Sequence, residues 1–170
     1  MRSELGSITH ISTTQASSGM VRQMVSAITS AADSTTATVN WTDTIPQATE
    51  GKLFLGATIT PAATANTLIV HGTAVFAINA DTRAVFSLFA GPTGGATGDA
   101  KAAVPFDVTI NDPYSIAFTW AGNPTAATTH IYSLRGGPSA GNTLTLNGAS
   151  GGRYLGGVSL TSLVIMEVVA

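Results

Sequence analysis

Asp43 and Glu50 bracket the stretch TIPQAT and pose the first chemical question, because a pair of carboxyl groups flanking a sugar bond is what glycoside hydrolysis requires. Nothing else in the sequence shapes a site around them, so a small glycan hydrolase is the weakest of the readings. The three histidines, His10, His71 and His130, lie far apart, lack the i, i+4 spacing of a helical zinc site and have no cysteine for company. No GxSxG elbow offers a serine nucleophile. There remains the glycine-rich stretch NTLTLNGASGGRYLGG, residues 142–157. A phosphate-cradling loop needs GxxxxGK[ST] running into a helix, with the lysine reaching the phosphates. This loop lacks that spacing and that lysine, and it leads from one strand towards another. Its glycines are expected to supply positive-φ turns and close strand approach. Arg153 and Tyr154 are left as surface residues that could touch a glycan or a neighbouring subunit. No catalytic residue, cofactor or metal is expected.

The other acidic residues fall mostly in turns, where Asp bonds the local backbone. Asp107 takes the polar side of a strand, where a solvated residue is ordinary. Glu167 is different, because its parity matches Leu163, Ile165 and Val169. Either it is a satisfied polar group at a subunit contact or the period slips through a bulge.

The elements that must carry these residues alternate with period two, the mark of half-buried strands. Tyr114, Ile116, Phe118 and Trp120 share one face of YSIAFTW, and Val104, Phe106, Val108 and Ile110 one face of VPFDVTI. The same parity links Leu53, Leu55, Ala57 and Ile59, then Leu68, Val70, Ala74, Phe76 and Ile78, then Ala84, Phe86 and Leu88. His130, Tyr132 and Leu134 form a further set, Leu144 and Leu146 another, and SLVIMEVVA closes the chain. Turn formers such as TPAATAN, INADTR, INDPY and GGPSAGN separate the runs. Short strands so punctuated predict an all-β antiparallel sandwich or barrel. In MVRQMVSAITSAA a helical stripe and a strand face fit equally well, so periodicity leaves that segment open.

At 170 residues the chain is expected to be one domain, long enough to bury roughly 70% of its unfolded surface without a disulfide or metal staple. A net charge of -2, with its seven basic residues scattered, argues against nucleic acid as a partner. The opening MRSELGSITH has no apolar core for a signal peptide, and no run reaches the ~18 apolar residues of a membrane span. Charged residues make up 9% of the chain, against about 25% in ordinary soluble domains, and threonine occurs 26 times. So little charge protects a lone monomer poorly against association. The chain is therefore either a Thr-coated neutral β-protein or one whose surface is largely covered by copies of itself or a larger assembly. Residues 1–18, polar and irregular, are expected to form an extended N-terminal arm outside a domain spanning 19–170.

Three stretches carry a resemblance. DTIPQATEGKLFLGATITPAATANTLIVHG (43–72) resembles the opening of a β-sandwich module common among tailed-phage virion proteins, and THIYSLRGGPSAGNTLTLNG (129–148) with GGVSLTSLVIMEVVA (156–170) resembles its closing strands. The module is similar to the jelly roll of tumour necrosis factor and complement-type globular heads, which form threefold trimers. The resemblance covers roughly residues 20–170 and implies a strand before DTIP, resolving MVRQMVSAIT in favour of β. It makes DTIPQATEG a corner in which Pro46 fixes φ and Gly51 reverses the chain.

A short arm on a trimeric knob, with no shaft, implies a capsid decoration, cement or head-spike protein, made in the host cytoplasm without a signal peptide and located on the virion. In that picture Arg2, Glu4, Leu5, Ile8, His10 and Ile11 of the arm grip the major capsid protein or a neighbouring trimer, and an apolar sheet face seals the threefold axis. The alternative is a tail-fibre or receptor-binding tip, in which Trp41, Asn142, Arg153 and Tyr154 face host glycan.

Overall fold

The computed structural model of the chain describes residues 18–92 and 98–170, and the arm residues named above lie outside them. Two antiparallel sheets face each other. The first runs β1 (Val21–Thr29), β12 (Thr161–Val168), β4 (Thr67–Ile78) and β7 (Tyr114–Gly122), and the second runs β3 (Lys52–Ile59), β8 (His130–Pro138), β5 (Thr82–Pro92) and β6 (Ala102–Val108). Apart from β5 and β6, which pair as neighbours in the second sheet, the main strands from β3 to β8 pass back and forth between the sheets, which is a jelly roll. β4 is longer than its neighbour β12, and its free end pairs with β9 (Leu144–Leu146), which in turn pairs with β2 (Asp33–Thr35). The glycine-rich stretch folds as a tiny hairpin, β10 (Gly148–Ala149) and β11 (Gly152–Arg153), followed by a 3-10 turn at Leu155–Gly157.

Alternation builds the core as expected. Leu68, Val70, Ala74, Phe76 and Ile78 of β4 meet Ala84, Phe86 and Leu88 of β5, all of them buried. Phe76 ties the layers together. Its ring centroid lies 4.8 Å from that of Phe86 and 5.6 Å from that of Phe106 in the opposite sheet, and 5.9 Å from that of Tyr114 in its own. Such offset and edge contacts add about 0.5–1.5 kcal/mol per pair beyond area burial. Trp120 and Tyr132 make the same bridge elsewhere in the sandwich, 5.9 Å apart. The open segment MVRQMVSAIT is a strand, with Val25 and Ala27 packed on the core and Met24 and Ile28 facing away.

Two parity expectations fail locally. A bulge between Leu53 and Leu55 turns Leu53 outwards, where it is 48% exposed, and lets Phe54 pack on the core. Ile110 falls past the end of β6, in the turn before β7, and is exposed as well. A third departure is larger. On β5 the outward parity, Val85, Ser87 and Phe89, is as buried as the inward one.

That burial has a cause in the corner DTIPQATEG. Residues 36–51 run as a strap over the outer face of the second sheet. Val39 is buried and donates its N–H to Pro138 O at 3.0 Å, and Gly51 donates to Thr38 O at 2.8 Å. Arg135 of β8 reaches outwards and donates through Nε and Nη2 to the carbonyls of Glu50 and Gly51. Gly51 has φ +60°, and a Cβ there would sit 2.8 Å from both Gly136 O and Val39 Cγ2, so only glycine closes the corner.

Candidate interaction surfaces

Among the described residues no such strap covers the first sheet. Its outward residues form rungs: Met24, Met166, Ile69 and Ala121; then Ser26, Val164, His71 and Thr119; then Ile28, Ser162, Thr73 and Ala117. Val75 and Ser115 add a fourth, shorter rung. None of these side chains is Asp, Glu, Lys or Arg, and His71 is the one titratable group among them. Met24 is 64% exposed and Ile28 61%. Four of the polar members pair within the face. His71 Nδ1 and Thr119 Oγ1 are 3.0 Å apart, and Thr73 and Ser162 share a hydroxyl hydrogen bond of 2.8 Å. A broad, flat, nearly neutral face of this kind is unusual on a lone soluble domain and typical of a contact surface.

Glu167 belongs to neither face. It continues the inward parity of Leu163 and Ile165 without a slip and is fully buried near the end of the sandwich. Oε1 accepts hydrogen bonds from Ala62 N at 2.8 Å and Asn66 Nδ2 at 2.5 Å, and Oε2 accepts from Gln23 Nε2 at 2.5 Å. Burial alone pushes the carboxyl's pKa up; the donors from Asn66, Gln23, Ala62 and Ala63 more than reverse this and hold it below the ordinary glutamate value. Its role is to staple the β3–β4 loop to β1 and β12.

The residues singled out as possible surface contacts occupy separate neighbourhoods. Trp41 sits on the strap, with the Arg83 guanidinium 4.7 Å from its ring centroid. Asn142 lies in the turn after β8, its N–H bonded to Ala140 O. Tyr154 closes the β10–β11 hairpin against the body, donating its N–H to Asn147 O at 2.8 Å and its hydroxyl to Asn111 O at 3.3 Å, while Arg153 is exposed beside it. The hairpin owes its tightness to Gly148, where a Cβ would stand 1.9 Å from Gly152 O. Its turn residues Ser150 and Gly151 both have positive φ, the pattern of a type I′ turn.

Glu50 does not reach towards Asp43 as an acid–base partner; its two oxygens accept from Asn40 Nδ2 and from Gln47 N within the strap. Burial pushes the Tyr132 hydroxyl up to about 12, away from any acid–base work near neutrality. His130 is buried with Nε2 2.9 Å from Ala126 O. Among the described residues no three His, Asp or Glu side chains converge as a metal site, and no helix is long and apolar enough to cross a membrane.

What sequence reasoning missed is a cleft of about 370 Å³ beneath Trp41, walled by Asn40 to Thr44 and Pro46 of the strap and floored by Val85, Ala103 and Pro105. The exposed tryptophan was its one visible signal. The floor comes from distant strands.

No family model and no curated protein matches the chain. Among solved structures, Eiger TNF from S. frugiperda is similar with a TM-score of 0.52 at 10% identity, over 86% of this chain and 94% of that one. The structure of infectious bursal disease virus Gx strain is similar with a TM-score of 0.43 at 16% identity, over 87% of this chain but 37% of that one. The first likeness establishes the fold: the chain is an all-β antiparallel jelly-roll sandwich of the kind seen in a tumour-necrosis-factor protein.

Proposed function

We propose that the chain is a structural subunit of a tailed-phage virion, a homotrimer that decorates and stabilises the capsid surface. The observation that carries this reading is the contrast between the two outer sheet faces. The chain spends sixteen residues, 36–51, covering one, while among the described residues nothing covers the four rungs of the other, which carry no Asp, Glu, Lys or Arg, Arg22 standing apart at the bulged start of β1. A second and third copy supply the missing cover. A cyclic arrangement satisfies the same patch in every subunit and closes, so it stops at a defined size.

The placement of the N-terminus fits the same picture. Gly19 donates to Val169 O, so the chain enters β1 beside the end of β12. Rotation about an axis running along the bare face puts all three entries at one end of the trimer. Arms comprising residues 1–18 then reach the major capsid protein or a neighbouring trimer together, and three weak grips combine by avidity. Bridging adjacent capsid subunits opposes rupture of the shell by packaged genome.

Quantitative mass spectrometry of purified particles tests the reading. A copy number comparable to that of the major capsid protein is expected. A handful of copies would instead favour a tail-tip protein presenting its loops to host glycan, and absence from particles would overturn the virion assignment.

A further inference from the structure

The Trp41 cleft points to a function beyond assembly, and we propose that it is a binding site for a neutral saccharide, a pyranose ring laid against the indole. The cleft is amphipathic in the way a sugar is. Val85, Ala103 and Pro105 give an apolar floor, while Asn40, Asp43 and the linked hydroxyls of Thr42 and Thr44, 2.7 Å apart, give a polar rim. A pyranose presents weakly positive C–H bonds on one face and hydroxyls around its edge. The first packs on the negative face of an aromatic ring and the second bonds carboxylate and amide oxygens. Trp41 lines the cleft and is 36% exposed, with the Arg83 guanidinium 4.7 Å from its ring centroid.

Charge narrows the ligand class. No Lys or Arg lines the cleft, and the nearby Arg83 pairs through Nε with Asp107 at 3.0 Å. Asp43 on the rim has no ion pair among the described residues. Phosphorylated and acidic sugars meet the Asp43 carboxylate on the rim, and the nearby cation, Arg83, is already paired with Asp107, which favours a neutral sugar. At about 370 Å³ the cleft lies at the small end of the ~300–1,000 Å³ typical of ligand sites, a size for one or two rings. Its wall is also held in place before any ligand arrives. The strap is pinned on both sides of Trp41, by Val39 N to Pro138 O at 3.0 Å and by the Ala100 N–H bonded to Pro46 O at 3.0 Å, which lowers the ordering cost of binding.

Nothing in this inference depends on the trimer, and its test reads the full chain in solution. The methyl glycosides of glucose, galactose, mannose and N-acetylglucosamine are titrated at millimolar concentration. The indole N–H signals of Trp41 and Trp120 are followed by NMR, and saturation transfer to the sugar is recorded alongside. At least one glycoside is expected to shift the Trp41 signal saturably while leaving Trp120, packed against Tyr132, unmoved. Trp41→Ala should abolish saturation transfer. Asp43→Asn, an exposed change that leaves the fold intact, should weaken binding about tenfold by removing a charge-assisted hydrogen bond. The proposal is overturned if none of the four glycosides moves the Trp41 signal, if transfer persists undiminished in Trp41→Ala, or if Asp43→Asn binds as tightly as the parent.

Discussion

Glu167 keeps its negative charge on the core side of β12 because donors close around it, from Gln23, Asn66 and the Ala62 and Ala63 amides. Removing the carboxylate strands those donors inside the protein, and an unsatisfied buried donor costs about 1–3 kcal/mol. Glu167→Ala is therefore expected to lose about 2–3 kcal/mol of folding stability, measurable by denaturant unfolding. The same bonds give a pH signature. The folded-state pKa lies below the unfolded value, so this stabilisation is present in full above the unfolded glutamate pKa and disappears as pH falls through the folded one. Thermal melts taken from neutral pH into the acid range should show the parent losing its advantage over Glu167→Gln as the carboxyl protonates. A constant gap across that range would mean that the carboxylate's charge has no part in the staple. The residue's inward parity was legible in the sequence, and its partners were not. Gln23 and Asn66 are distant in the chain and become neighbours only when β1 and the β3–β4 loop reach the same end of the sandwich.

At the scale of elements, the strap 36–51 is the feature on which both the sealed sheet and the cleft depend. Arg135 is its clasp, donating to Glu50 O and Gly51 O. Arg135→Ala should cost about 2–3 kcal/mol and release the strap selectively, because two charge-assisted bonds are lost while the core below stays packed. Native-state hydrogen exchange is the decisive reading: protection at the Val39 and Gly51 amides should fall, with the Phe76 and Phe86 amides unchanged. Uniform loss across the molecule would show that the strap and the sandwich open as one unit.

The strap also explains where period-two reading succeeded and failed. Strands with one wet face, such as β4 and β7, declared themselves by alternation. β5 reads Ala84, Val85, Phe86 with both parities buried, because its second cover is irregular chain whose apolar residues, Val39 and Trp41, show no period. β9, β10 and β11 span only two or three residues each, too short for any period to register. The slip at Leu53 reflects a bulge, and a bulge is decided by the pairing of β3 with β8 and not by either strand alone.

For the whole molecule, the bare face of β1, β12, β4 and β7 and the arm that precedes β1 make separable demands. Met24 and Ile28 are exposed in the single subunit, so replacing both with Asp leaves the sandwich core intact and costs about 1 kcal/mol or less. In a trimer closed on that face, the added carboxylates would be brought together in a desolvated contact, which is strongly unfavourable. Sedimentation should therefore show the parent at three times the mass of the double variant. A parent already monomeric would remove the threefold reading. Deleting residues 1–18 asks the complementary question. Because Gly19 is held by Val169 O and β1 pairs with β12 from Val21 onwards, the sandwich retains its edge strand when the arm is cut. The truncated protein should fold, keep its oligomeric mass and fail to bind particles stripped of the native protein, while the full chain rebinds them. Attachment is the quantity that decides, since avidity makes the three arms act together: losing them removes the whole grip and not a third of it. If the truncated protein still decorated particles, the grip would lie in the sandwich itself, and the exposed Leu155, Val158 and Leu160 beside the β10–β11 hairpin would be the next surface to alter.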